Sequence, residues 1–194
     1  MWKAAKGNRQ VRMYTHENGT ADNFYELNGK KISVIHFATH GFYETPKTAV
    51  NLPALKVRFS PMDLSGIVMS NGNCGWLYGS PMHHEGILTA SDIARMNLQE
   101  TSLVVLSVCN SGNGIVRSDE LYGLQRAFKK AGVKSIVMSL WKEADEVGAM
   151  FMTKFYYHLL FDGLSLADAF KRAKNEVRAK FNRPVYWANF VLID

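Results

Sequence analysis

Three observations predict an α/β fold built on a mostly parallel sheet. Two short apolar runs, Ile32–Gly41 and Leu103–Gly112, each end abruptly in turn residues, as buried strands do. Strand-like and helix-like runs alternate through the second half of the chain, which implies crossover connections between parallel strands. No internal repeat or low-complexity tract breaks the pattern.

The elements follow in order. Val11–Thr15 reads as a short strand and Ala21–Asn28 as a short helix with Thr20 at its N-cap. Gly29-Lys30-Lys31 then leads into the first apolar run. Between Tyr43 and Glu85 the chain is rich in Gly, Pro, Asn and Ser, with one apolar patch, Leu64–Met69. This reads as a hairpin or long loop over the strand ends. Gly86–Thr89 enters a short helix, Ala90–Arg95, with Thr89 or Ser91 as cap and Asp92 in its first turn. The second apolar run comes next. Asp119–Ala131 sets Leu121, Leu124, Phe128 and Ala131 on one helical face, and Gly132 is the expected stop. Ser135–Trp141 reads as a buried strand and Val147–Phe161 as an aromatic-rich helix. Ser165 begins another helix, with Leu166, Phe170, Ala173 and Val177 inward. Trp187–Ile193 closes as a strand.

Composition bounds the function. The chain has 194 residues, 47% of them hydrophobic, enough for a real core. No stretch approaches the roughly 20 apolar residues of a membrane helix, so no membrane association is expected. The basic start lacks an apolar run behind it, so no secretory signal is expected either. The two cysteines are Cys74 and Cys109, and such sparse cysteine favours a reducing, cytoplasmic setting. The net charge of +6 invites a nucleic-acid reading. Much of the excess is local, though: Lys3, Lys6, Arg9 and Arg12 at the start, and Lys171, Arg172, Lys174, Arg178 and Lys180 along one late helix. Without interleaved aromatics these read as solvated faces, and nucleic acid is not expected as a direct ligand.

The residues with most chemistry are His40 and Cys109. In an open α/β sheet, chemistry collects where strands end. A base and a thiol delivered to one edge make a candidate nucleophile pair, with Gly41 allowing close backbone approach. The plainer alternatives are a small core cysteine and a hydrogen-bonded packing histidine. His36 lies inside the same strand and lacks the terminal placement. The adjacent pair His83-His84 has no partner at ligand spacing, so no metal is expected, nor any cofactor. Cys74 reads as a loop thiol.

These motifs resemble the CHAT domain family, caspase-like domains often found beside tetratricopeptide repeats. His36-Phe-Ala-Thr-His-Gly41 resembles its histidine motif, and Gly86-Ile-Leu-Thr-Ala-Ser-Asp-Ile93 its next segment. Val105-Leu-Ser-Val-Cys-Asn-Ser-Gly112 resembles its cysteine motif. Gly123-Leu-Gln-Arg-Ala-Phe128, Ser139-Leu-Trp141 with Asp145, and Trp187-Ala-Asn-Phe-Val-Leu192 follow in family order. The resemblance implies a caspase–haemoglobinase three-layer sandwich and a cysteine endopeptidase related to separases and gingipains. It implies His40 and Cys109 as the dyad, with the backbone N–H groups of Gly41 and Cys109 as oxyanion donors. The chain departs at Val108, where the family commonly has alanine, and at Asn110-Ser111, where Glu-Thr is common. The family domain usually has further strand and helix upstream. The expectation is therefore a fragment or a shortened domain, with residues 1–30 an N-terminal remnant and 31–194 the caspase-like domain.

Asp145 matches the aspartate that follows Ser-Leu-Trp in the family, where a carboxylate would receive a basic P1 side chain. Its alternative role is capping the helix that follows. Asp119 and Glu120 read as first-turn charges. The expected partners are a protein or peptide substrate and an activating partner or tetratricopeptide-repeat region. The rival expectations are a catalytically silent protein-interaction scaffold and, more remotely, a nucleic-acid-associated module on the basic faces.

Overall fold

The computed structural model describes residues 10–43, 61–73, 86–110, 118–141 and 144–194. The chain divides into two compact units, Tyr14–Trp141 with Ile193–Asp194, and Lys142–Leu192 with Met1–Met13.

The larger unit is built on a sheet. Its strands are β1 (Val34–Tyr43), β2 (Ser65–Val68), β3 (Ile87–Thr89), β4 (Leu103–Asn110) and β5 (Ser135–Ser139), lying side by side in the order β3-β2-β1-β4-β5. β1, β4 and β5 are parallel, while β2 and β3 add an antiparallel edge. The mixed α/β architecture with an open sheet is consistent with a caspase-like sandwich.

The two apolar runs differ in burial. In β4, Leu103, Val104, Val105 and Leu106 are all buried, the continuous run of a strand covered on both faces. β1 alternates: Ile35 and Phe37 are buried while Val34, His36, Ala38 and His40 are exposed. It joins the parallel strands to the antiparallel edge, and such sheets commonly keep one face in water. Its buried face packs on two helices, α1 (Ala21–Tyr25) and α3 (Ser118–Lys130). The Phe37 ring lies 5.3 Å from Phe24 and 5.9 Å from Phe128. The helix ends use the expected devices. Thr20 accepts from the Asn23 N–H. At α2 (Ala90–Ile93), Thr89 and Asp92 form a reciprocal capping box. α3 ends in a Schellman pair, Gly132 N–H to Lys129 O and Val133 N–H to Phe128 O, with Gly132 at φ +102°.

The smaller unit pairs α4 (Asp145–Leu160) with α5 (Leu166–Lys180), followed by α6 (Pro184–Trp187) and the closing strand β6 (Phe190–Ile193). Phe151 stacks on Phe190 at 4.2 Å and meets Phe170 edge-on at 5.5 Å. Ser165 caps α5 through the Asp168 N–H. Ala173 and Val177 are inward, while Leu166 and Phe170 are only half-buried.

Two element expectations are corrected. Val11–Thr15 forms no strand; Val11, Met13 and Tyr14 are exposed and find no sheet partner among the described residues. The closing strand starts at Phe190, because Pro184 opens a helical turn through Trp187, a position that suits its fixed φ.

Candidate functional site

The site is set by the β1–β4 ladder. Eight consecutive pairs run from Val34↔Leu103 to Gly41↔Asn110, and His40 is level with Cys109. Level partners of a parallel ladder share one face of the pleat. The two positions named from separate motifs, 69 residues apart in the sequence, are therefore neighbours on adjacent strands. His40 is exposed. His36 stands on the same face, four rungs lower. Burial of its ring pulls its pKa down to about 4, although the residue as a whole still presents surface to water. On either ground the imidazole is mostly neutral at pH 7.

Gly41 is buried, and its lack of a side chain has a packing cause. A Cβ there would collide with Val108 Cγ1 and lie 3.4 Å from the Gly66 carbonyl oxygen. Sequence reasoning assigned this glycine to substrate approach. The structure adds Val108, the residue that departs from the family's common alanine, as a neighbour that fills the space.

Two hydroxyls inside the quoted motifs were passed over. Thr39 Oγ1 donates to the Val68 carbonyl at 2.7 Å. Ser139 Oγ donates to the Val108 carbonyl at 3.2 Å and to that of Leu106 at 3.4 Å. Thr39 and Val108 form the rung just before His40↔Cys109. The available signal was a hydroxyl within an apolar strand, which needs a partner when buried.

Asp145 is exposed and is the first residue of α4, with Ala144 in the N-cap position. Its charge lies at the helix N-terminus, where it is favourable, but it is not the capping residue. Asp119 and Glu120 fall in the first turn of α3. Cys74, His83, His84 and Ser111 lie outside the described residues, as does most of Tyr43–Glu85 apart from β2 and its flanks. Among the described residues, no group of three or more His, Cys, Asp or Glu is arranged to hold a metal ion. No described helix is long and apolar enough to cross a membrane.

The smaller unit has a charged cluster of its own. His158, with 5% of its side chain exposed, places Nδ1 2.6 Å from Asp162 Oδ2 and Nε2 2.6 Å from Glu176 Oε1. Lys154 contacts the other oxygen of Glu176 at 2.8 Å. The Lys154 hydrogen bond is the main reason the Glu176 carboxyl is held below its usual range, with His158 adding to it and burial opposing. This cluster ties α4 to α5.

A sequence model of the CHAT domain matches residues 3–194. Tetratricopeptide repeat protein 28 of Mus musculus is 32% identical over 177 residues, covering 82% of this chain and 7% of that protein. Its Homo sapiens namesake is 36% identical over 115 residues, 58% of this chain and 5% of that protein. The chain thus spans under a tenth of the length of these relatives.

Proposed function

The chain belongs to the CHAT domain family, which is caspase-like and peptidase-related, and on that premise we propose that it is a cysteine endopeptidase domain with His40 and Cys109 as its dyad. The observation that carries the reading is the level placement of His40 and Cys109 on adjacent parallel strands.

A free thiol has a pKa near ~8.5, so only a few per cent is thiolate at neutral pH. His40 takes the Cys109 proton as the sulfur attacks a peptide carbonyl carbon. The developing oxyanion is received by the backbone N–H groups of Gly41 and Cys109, a class of donor worth roughly 3 kcal/mol. The C–N bond breaks, His40 returns the proton to the leaving amine, and an acyl thioester remains. Water then hydrolyses the thioester and restores the thiol. Asp145 receives a basic P1 side chain. A free thiol of this kind suits a reducing, cytoplasmic setting. Substrate delivery falls to a tetratricopeptide-repeat region or another activating partner. That partner also accounts for low turnover expected of the isolated chain.

A second reading has one observation behind it: the relatives' printed names describe tetratricopeptide repeats and no peptidase. It takes the domain as a protein-interaction scaffold with a silent dyad.

The test is site-selective alkylation, together with cleavage of a peptide library by the full-length native protein. Cys109 should be labelled faster than Cys74, His40→Ala should remove the difference, and Cys109→Ala should end cleavage. Equal labelling of both cysteines, unchanged by His40→Ala, overturns the dyad and leaves the scaffold.

A further inference from the structure

The β4 strand outruns its neighbour. Its pairs with β5 end at Leu106↔Met138, whereas its pairs with β1 continue through His40↔Cys109 to Gly41↔Asn110. Beyond Leu106, the described ladder pairs of β4 are those with β1. Strand ends open more readily than strand centres.

The Ser139 side chain reaches β4 beyond those pairs. Ser139 is the last residue of β5 and is 3% exposed. Its single hydroxyl proton is shared between the carbonyls of Val108 and Leu106, with the shorter contact to Val108. The Val108 carbonyl belongs to the peptide unit whose nitrogen is that of Cys109. Holding it fixes the plane from which Cys109 departs. On the far side of the same rung, Thr39 Oγ1 reaches the Val68 carbonyl, and Thr39 is the residue before His40. The Thr39↔Val108 rung is thus tied outward in both directions, to β2 and to β5.

We propose that Ser139 and Thr39 are positioning residues that brace this rung and so hold His40 level with Cys109. The inference rests on the protease reading for its catalytic consequence, while the brace itself is a statement about the strand ends. Neither residue touches substrate. Their contribution is to keep base and nucleophile at a fixed separation, where small displacements are costly to rate.

The experiment compares Ser139→Ala, Ser139→Thr, Thr39→Val and Thr39→Ser in the full-length native protein. Three readouts are taken: kcat and KM, the pH midpoint of Cys109 alkylation, and hydrogen exchange of the peptide containing residues 107–110. Ser139→Ala and Thr39→Val should lower kcat on the order of 10–100-fold with KM nearly unchanged. They should also move the alkylation midpoint up toward the free-thiol value of ~8.5 and speed exchange over 107–110. Ser139→Thr and Thr39→Ser, which keep the hydroxyl, should restore all three. Unchanged kcat, midpoint and exchange in folded Ser139→Ala overturns the brace. If Ser139→Ala does not fold, Ser139→Cys, with its weaker donor, takes its place under the same criteria. If the wild type neither turns over nor shows a shifted thiol, the protease reading falls. Exchange alone then decides the brace: faster exchange over 107–110 in Ser139→Ala upholds it, and unchanged exchange overturns it.

Discussion

Gly41→Ala should be destabilising for a reason that a second substitution removes. The new Cβ meets Val108 Cγ1 at clash distance and approaches the Gly66 carbonyl oxygen to 3.4 Å. Val108 cannot swing away freely, because a β-branched side chain is restricted at χ1. The strain therefore passes to the last rungs of the β1–β4 ladder. Overpacking of this kind costs about 1–3 kcal/mol. Val108→Ala alone removes two carbons from a half-buried side chain. At about 0.8 kcal/mol per fully buried CH₂, that is on the order of 1 kcal/mol. If the two sites were independent, the double variant would lose about 2–4 kcal/mol. If the collision is the cause, the double variant should be no less stable than Val108→Ala alone, a coupling of about 1–3 kcal/mol of the size contacting residues show. Urea unfolding of the four proteins measures it. Additivity within about 0.5 kcal/mol refutes the packing account. Turnover of the double variant separates the two roles of this glycine: stability regained without turnover assigns the missing side chain to substrate approach as well.

Phe128 is fully buried and contacts both Phe24 and Phe37, so Phe128→Ala should cost about 3–5 kcal/mol; a loss under 1 kcal/mol in chemical denaturation would contradict the core assignment. Glu176 is held below its usual carboxylate range, so its contribution is present above the ordinary value and is lost as pH falls through the depressed one. Glu176→Gln should therefore flatten the acid limb of melting temperature against pH, and identical limbs would count against the cluster. His36 is shifted down to about 4, so its stabilising contribution is full above the unfolded value near ~6.5 and drains as pH falls toward 4. His36→Gln should remove that drain in the same titration, and an unchanged titration would show the ring to be freely solvated. Asp145→Asn should lower melting only slightly, since first-turn charge is worth about 0.3–1 kcal/mol, while cleavage after Lys or Arg should fall sharply. Retained cleavage after basic residues sinks the P1 pocket.

Where the sequence was legible, a local rule sufficed. Thr20, Thr89 with Asp92, Ser165 and Gly132 mark helix ends through contacts within a few residues of themselves. The β4 run reads as buried because it is apolar without alternation. β1 is also led by an apolar run, yet its exposed face follows from its neighbours, which no local window contains. Val11–Thr15 has strand-like residues but no partner strand among the described residues, and Trp187 reads as strand from its neighbours although Pro184 already commits that turn to helix. Of the candidate site, both chemical positions were legible at the ends of their runs. Their level register was not, because it depends on a ladder joining segments far apart in sequence. The hydroxyls of Thr39 and Ser139 were hidden for the same reason, since their acceptors lie 29 and 31 residues away.

The parallel pair does for this site what loops could not do as cheaply. Once Val34↔Leu103 is set, every later rung follows, so the His40↔Cys109 alignment inherits the stability of six rungs below it. A slip of one residue would move either position to the opposite face, and the buried Ile35, Phe37, Val104 and Leu106 oppose any such slip. Apolar packing at one end of the ladder thus fixes polar geometry at the other. A scaffold would require the same packing but not the same end. Its stability would rest on Phe24, Phe37 and Phe128, and it would be indifferent to an exposed His40. The protease reading demands both, which is why core variants cannot separate the two readings and variants at the exposed strand end can.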